Sequence, residues 1–371
     1  MKRHTRPRQN KGASHVGERF EVEVGPVAHG GFWIARHEGR VIFVRHALTG
    51  EKAIVEVTEG SDGDTFWRAD AVEILEASPD RVQAPCEYAR PGGCGGCDFQ
   101  HVAVTAQRDL KAQVIKEQFR RLAKLEVDIT VQPVHGDKEG LRWRTRQTYV
   151  GPGKGMRKHR SHDVIQIDDC LIARHDAREG GEGSLTETVD AAGTQRTFQV
   201  AADGFWQVHP GAPTALVEAV LDALQPQSGE SVLDLYSGVG LFSSFLAERG
   251  ASVTAIEGEK VASEYGAGNV LKARSITSDV AAWLALNPGE SDLVVLDPPR
   301  AGAGRKVVTA IADRSPRAIA YVACDPAALA RDVATFAELG YRMSDLKAFD
   351  LFPMTHHVES VALLVPDRVL A

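Results

Sequence analysis

Cys324 closes the apolar run Tyr321-Val322-Ala323 and is followed at once by Asp325 and Pro326. Such a run reads as a buried strand stopped by an acid and a proline, and strand ends are where parallel sheets expose their chemistry. A thiolate is the strongest nucleophile among ordinary side chains. Taken alone, a cysteine at a strand end is more often an inert, small core residue. Its company carries the argument. Glu359 stands just before another apolar run, Val361–Val365, where partial desolvation raises a carboxyl's pKa. The neighbouring His356 and His357 read as polar loop residues, because a metal pair needs further ligands nearby.

A second group of residues reads as a nucleoside site. The strand Ser231–Leu235 runs through Asp234 into Tyr236, Gly238 and Gly240, then a helix to Glu248. Glycines at that turn let backbone approach a ligand at a helix N-terminus. The strand Ser252–Ile256 delivers Glu257, an acid placed for ribose hydroxyls, and a third short strand delivers Asp279 near an adenine amino group. A third glycine at the dinucleotide spacing is missing. Two glycines with acids at successive strand ends favour S-adenosylmethionine over a nicotinamide cofactor. The strand Asp292–Leu296 ends in Asp297-Pro298-Pro299-Arg300. Its prolines remove backbone donors and stiffen the loop, in the shape of a nucleobase-methylating catalytic loop.

The third group is Cys86, Cys94 and Cys97, with Cys170 farther on and glycines at 92, 93, 95 and 96. Thiols at this spacing form a metal-ligand pattern. Disulfides do not suit an intracellular chain of this size. A tetrahedral zinc site and an iron–sulfur cluster both fit four cysteines, and the flexible glycines suit the bulkier cluster. Four thiolates saturate a four-iron cluster, which makes its role structural.

These residues need elements to position them, and 371 residues with 43% hydrophobic composition provide for two or three cores. No apolar run reaches the roughly 20 residues of a membrane span, and the N-terminus lacks the apolar core of a secretory signal. Cytoplasm and a monomer are the default expectations. The net charge of -7 hides an uneven distribution, since residues 101–160 hold 14 Lys and Arg against 6 Asp and Glu. Met1–Lys11 adds a basic tail. Glu18–Ala77 breaks into five short Val-, Phe- and Ile-rich strands, as in an OB-like barrel that binds RNA by stacking and charge. Ala71–Glu76 reads as its exit. Ala103–Leu125 is predicted helical, with Arg108, Lys111, Lys116, Arg120, Arg121 and Lys124 on an exposed basic face. Leu141–Tyr149 alternates, putting Arg142, Arg144 and Arg146 on one strand face, to be balanced by a phosphate backbone, a base carbonyl or acids elsewhere. Arg178–Ala192 reads as an exposed connection. The last third alternates strand and helix, the mark of a doubly wound parallel sheet.

The assembly resembles the bacterial and archaeal RNA uridine-C5 methyltransferases, and more narrowly the iron–sulfur members with an N-terminal TRAM barrel typified by 23S ribosomal RNA enzymes. The resemblance spans Glu18 to Val365. It rests on the four cysteines, Phe205-Trp-Gln-Val208, Asp234–Gly240, Asp297–Arg300, Cys324–Pro326 and Thr355–Glu359. It implies an α/β fold: a Rossmann-like class I methyltransferase domain (205–371), an OB-like TRAM barrel (12–77) and a small central α+β cluster-binding domain (78–204). It implies a [4Fe-4S] cluster on Cys86, Cys94, Cys97 and Cys170. It also implies S-adenosylmethionine binding by Gln207, Tyr236, Leu241, Glu257, Asp279 and Asp297. Cys324 would be the nucleophile, Glu359 the base, and Arg144 a uracil contact. The expected partner is RNA, ribosomal in the first place and transfer RNA as the alternative. Rival readings are methylation of cytosine or a small molecule, and an RNA-binding assembly protein with a weak transferase domain. The family carries Asn after the cysteine. Here Asp325 stands there, and a carboxylate beside the thiol raises its pKa unless paired.

Overall fold

The computed structural model describes residues 12–367, so the basic tail Met1–Lys11 lies outside the described residues. Contacts divide the chain into two compact units. One comprises residues up to 106 with 152–168 and 354–356; the other comprises 107–151, 169–353 and the remainder.

The first unit is built on six strands, β1 (Arg19–Glu23), β2 (Val27–Ala28), β3 (Phe32–His37), β4 (Arg40–Arg45), β5 (Lys52–Glu59) and β6 (Phe66–Glu76). They form one sheet in the order β1-β5-β6-β4-β3-β2. Alternation drives it: Ala53, Val55 and Val57 of β5 face inward and are buried, with half-buried or exposed residues between them. Glu38 and Gly39, the two turn residues between β3 and β4, are both left-handed at φ 48° and 80°. That is the turn geometry matching the twist of a tight hairpin. Ala71–Glu76 leads out of the sheet as the last part of β6, which pairs with β5 across three register shifts that let the long strand bend.

The second unit begins along helix α1 (Val104–Gln118), which passes into one π-helical turn, Phe119–Ala123. Arg120, Arg121 and Lys124 are exposed as expected. Lys111 is not, being only 1% exposed. Next come β7 (Val131–Pro133) and β8 (Arg144–Arg146). A hairpin of β9 (Gly155–Arg157) and β10 (Val164–Gln166) belongs to the first unit. Then β11 (Ala173–Arg178) pairs with β8, and β12 (Ser184–Ala191) with β13 (Thr194–Ala201). The supposed connection Arg178–Ala192 is thus largely strand, its buried Val189 and Ala191 alternating with polar residues.

The transferase sheet is assembled from β14 (Ser231–Leu235), β15 (Ser252–Glu257), β16 (Arg274–Thr277), β17 (Leu293–Leu296), β18 (Ala318–Ala323), β19 (Tyr341–Asp350) and β20 (Glu359–Pro366). With β7 they take the order β16-β15-β14-β17-β18-β20-β19-β7. The strands β14 to β18 are mutually parallel, and β20 runs antiparallel between β18 and β19. Every residue of β17 and β18 is buried, as expected of central strands covered on both faces. The covering helices are α2 (Ala212–Leu224), α3 (Leu241–Glu248), α4 (Lys260–Asn269), α5 (Val280–Leu286), α6 (Gly304–Ala312) and α7 (Pro326–Glu338). Two apolar clusters fill the unit, one containing Leu216, Phe245 and Val295, the other Ile115, Leu296 and Phe336. Among the described residues no helix is long and apolar enough to cross a membrane.

Candidate active site

The carboxyl ends of β14, β15 and β16 carry the residues read as the nucleoside site. Beyond β14 the chain turns through Tyr236, Gly238 and Gly240, all left-handed at φ 62°, 54° and 89°. A Cβ on Gly240 would come within 2.7 Å of Val270 Cγ2, so the turn closes only on glycine. Leu241 opens α3. Glu257, the last residue of β15, grips the turn. Its Oε2 accepts from Gly238 N at 2.8 Å and its Oε1 from Glu259 N at 2.7 Å. Asp279 caps α5, accepting from Ala282 N at 2.8 Å. Beneath the turn, buried Asp234 accepts from the backbone N and the Oγ of Ser243 at 2.9 and 2.6 Å. Gln207 lies half-buried in the segment between β13 and α2.

The ends of β17, β18 and β20 carry Asp297, Cys324 and Glu359. The strands β18 and β20 pair Ala323 with Ser360, so the next step of that antiparallel register sets Cys324 opposite Glu359. The loop after β17 is drawn back by buried groups. Ala303 N donates to the Tyr321 hydroxyl at 3.0 Å and to Asp332 Oδ2 at 2.8 Å. The three acidic groups share little countercharge. Burial and the charge of Asp234 push Asp297 up to about 7, and burial pushes Asp234 up to about 7 as well. Glu359 is 4% exposed, and burial together with Asp297 raises its pKa well above the ordinary carboxyl range. Burial, then the charges of Glu359 and Asp297, push the Cys324 thiol up to about 12. The Arg300 guanidinium opposes the rise at both Cys324 and Glu359. Asp325 raises the thiol less than Glu359 or Asp297 does. Its carboxylate is engaged as the N-cap of α7, accepting from Ala328 N at 2.7 Å, which is the partner the sequence left unspecified.

Residues 282–366, which hold Asp297, Arg300, Cys324 and Glu359, match a tRNA (Uracil-5-)-methyltransferase family model, and residues 13–71 match the TRAM domain. An RNA methyltransferase of Streptomyces avermitilis is 45% identical over 95% of this chain and 99% of its own length. The chain belongs to the RNA uracil-5-methyltransferase family. A second RNA methyltransferase, from Streptomyces coelicolor, is 44% identical over 95% of this chain and 94% of its own, and one from Bifidobacterium longum is 37% identical over 92% and 96%. Among solved structures, the Pyrococcus abyssi tRNA (uracil-54, C5)-methyltransferase in complex with S-adenosyl-L-homocysteine superposes with a TM-score of 0.66. It covers 92% of this chain and 99% of its own at 22% identity. The class I methyltransferase fold with an N-terminal barrel-like TRAM domain is therefore that of this chain.

The methyltransferase disposes its remaining predicted residues in several ways. Arg142 leaves the expected strand face, taking a left-handed φ of 57° before β8. It pairs in two-pronged fashion with Asp169 and donates to Ala173 O at 3.0 Å. It is thus balanced by an acid, and only Arg144 and Arg146 lie in the strand. Arg146 donates to Gly204 O at 2.7 Å. In the barrel, Arg68 stands 4.9 Å from the ring centre of Phe66, an aromatic 36% exposed. All five cysteines are half-buried thiols. Gly96 N donates to Cys94 Sγ at 3.4 Å and Gln100 Nε2 to Cys97 Sγ at 3.5 Å, contacts that suit thiolate character. Yet among the described residues no three His, Cys, Asp or Glu side chains form a group able to hold a metal ion.

Two residues beside the candidate site escaped the sequence reading. Arg300 closes the quoted Asp-Pro-Pro-Arg motif but drew no role, and its Nη2 is 3.3 Å from Nε2 of His357, read as a bland loop histidine. The motif was the available signal. The 57 residues separating the pair hid the contact.

Proposed function

We propose that this methyltransferase transfers a methyl group from S-adenosylmethionine to C5 of a uridine in RNA through a covalent bond between Cys324 and C6 of the ring. The observation that carries the reading is the meeting of Cys324 and Glu359 at adjacent strand ends beside Asp297 and Arg300. Uracil C5 is too weakly nucleophilic to take a methyl group unaided. Attack of the Cys324 thiolate forms the S–C6 bond and moves an electron pair into an enolate whose C5 is nucleophilic. Bound S-adenosylmethionine supplies the electrophilic methyl group, and Gln207, Tyr236, Leu241, Glu257, Asp279 and Asp297 are the residues proposed to hold it. Glu359 removes the C5 proton, and the electrons of that C–H bond expel the thiolate. A carboxylate with a raised pKa is the stronger base for this step. The thiol, pushed up to about 12, favours the neutral form, so Arg300 is the group on this chain that draws it toward the thiolate. Arg144 is proposed to hold the uracil carbonyls, and the barrel at 12–77 to bind the RNA whose base must leave its stack.

Labelled S-adenosylmethionine with RNA containing 5-fluorouridine tests the scheme: fluorine blocks proton removal, so a complex covalent through Cys324 is expected to accumulate. Methylation by a Cys324→Ala protein at the wild-type rate would reject it. We propose 23S ribosomal RNA as substrate; the description of the family model matched over 282–366 favours transfer RNA as the second reading. Mapping 5-methyluridine in both RNAs from cells lacking the protein separates them, and 5-methylcytidine instead would reassign the base. A [4Fe-4S] cluster on Cys86, Cys94, Cys97 and Cys170, in the central segment 78–204, is a separate proposal resting on sequence pattern. No step above passes through it. Iron and sulfide analysis of anaerobically purified protein decides it, and zinc without sulfide rejects it.

A further inference from the structure

Lys111 was expected on an exposed basic face and instead points inward. Its Nζ lies 2.5 Å from Asp350 Oδ1, both side chains being almost fully buried, and it donates to Phe352 O at 3.0 Å. The other carboxylate oxygen, Asp350 Oδ2, is buried with no hydrogen-bond partner. Desolvating two charges costs about as much as their attraction returns, so a buried pair of this kind is a poor device for stability alone. What it holds is more telling. Asp350 ends β19, the neighbouring Phe349 pairs with Glu359 across β20, and Phe352 lies in the loop connecting the two strands. Lys111 therefore ties down the loop whose far end is the proposed base.

The tie reaches the catalytic charges through rings. Phe352 meets buried Trp143 edge-on at 6.1 Å and His357 edge-on at 5.9 Å. His357 in turn is 3.3 Å from Arg300 Nη2. A shift of Phe352 would disturb His357 and loosen the chain entering Glu359, two residues on. We propose that Lys111 is a positioning residue for removal of the C5 proton, acting through Asp350 and the Phe352–His357 contact to fix Glu359. This rests on the covalent reading of the site above. The ammonium group itself touches no reacting atom.

The test uses the full chain with Lys111→Met and Lys111→Met/Asp350→Asn, the second removing both charges so that no carboxylate is left stranded. On RNA with ordinary uridine, both variants are expected to lower kcat by about tenfold to a hundredfold. The RNA KM should fall along with kcat, because slow resolution of an accumulated adduct lowers both while leaving the binding step untouched. Protein covalently bound to RNA should build up on denaturing gels, since the adduct forms but resolves slowly. Lys111→Arg should recover part of kcat. A double variant with wild-type thermal stability, wild-type kcat and no adduct build-up overturns the proposal. Should the double variant not fold, His357→Ala, at a half-exposed position, probes the same relay; adduct build-up there supports the proposal, and its absence with wild-type kcat rejects it. Trapping on 5-fluorouridine RNA is run beside each variant. Failure of wild-type protein to trap rejects the covalent scheme itself, whereas normal trapping with unaltered variants rejects only the role of Lys111.

Discussion

The two halves of the transferase sheet's carboxyl edge use acids in opposite ways. At β15 and β16, Glu257 and Asp279 spend their oxygens on backbone N–H groups of the next turn or helix. Both carboxyl groups are tied to backbone donors of the turns that follow the strands. At β17 and β20, Asp297 and Glu359 are pushed up by burial and by other acids, and the Cys324 thiol shares their surroundings. The difference follows from position. The first pair lies at the edge strand β16 and its neighbour β15, where helices α4 and α5 begin and offer N–H groups. The second lies beyond central strands buried on both faces, where solvent is scarce and Arg300 is the cation named beside them. On the proposed scheme, one half holds a polar ligand and the other moves protons.

Three experiments bear on that contrast. The largest effect is expected from Glu359→Gln, which keeps shape but cannot take a proton; turnover should fall by about a hundredfold to ten-thousandfold. The protein should accumulate bound to RNA on denaturing gels, and loss of turnover without accumulation would deny Glu359 the late step. Glu257→Ala belongs to the other half. It should raise the KM for S-adenosylmethionine by about tenfold or more while leaving kcat within a few-fold. A fall in kcat with unchanged KM would erase the distinction between the halves. The smallest effect is in stability. Asp297 has an ordinary value of 3.8 and is pushed up to about 7. Between these limits the unfolded chain has released a proton that the folded chain retains, so this group's contribution to stability falls as pH rises through the window. The melting temperature of Asp297→Asn should therefore gain on that of the wild type between pH 5 and about 7.5. A difference independent of pH would show that Asp297 ionises normally.

Much of this was legible beforehand because it is local. Strand–turn–helix alternation, the left-handed glycine turn after β14 and the prolines after Asp297 each lie within a dozen neighbouring residues, and the fold class follows from their order. The barrel was legible for the same reason, except that β6 continues past its expected end by bending across register shifts with β5. Lys111 was misread because helical periodicity reports which positions share a face, not whether a distant carboxylate waits beneath one of them; Asp350 is 239 residues away. Arg142 was misread similarly, its charge being met by Asp169 from a separate segment.

The amino-acid sequence alone determined which groups are available: a thiol and a carboxylate at strand ends, a glycine turn, and acids after successive strands. Only the tertiary structure decided their electrostatics. It set Cys324 opposite Glu359, gave Asp325 to the N-terminus of α7 and buried Lys111 against Asp350. Ionisation depends on desolvation and on charges brought close by folding, and neither quantity is written in the order of residues along the chain.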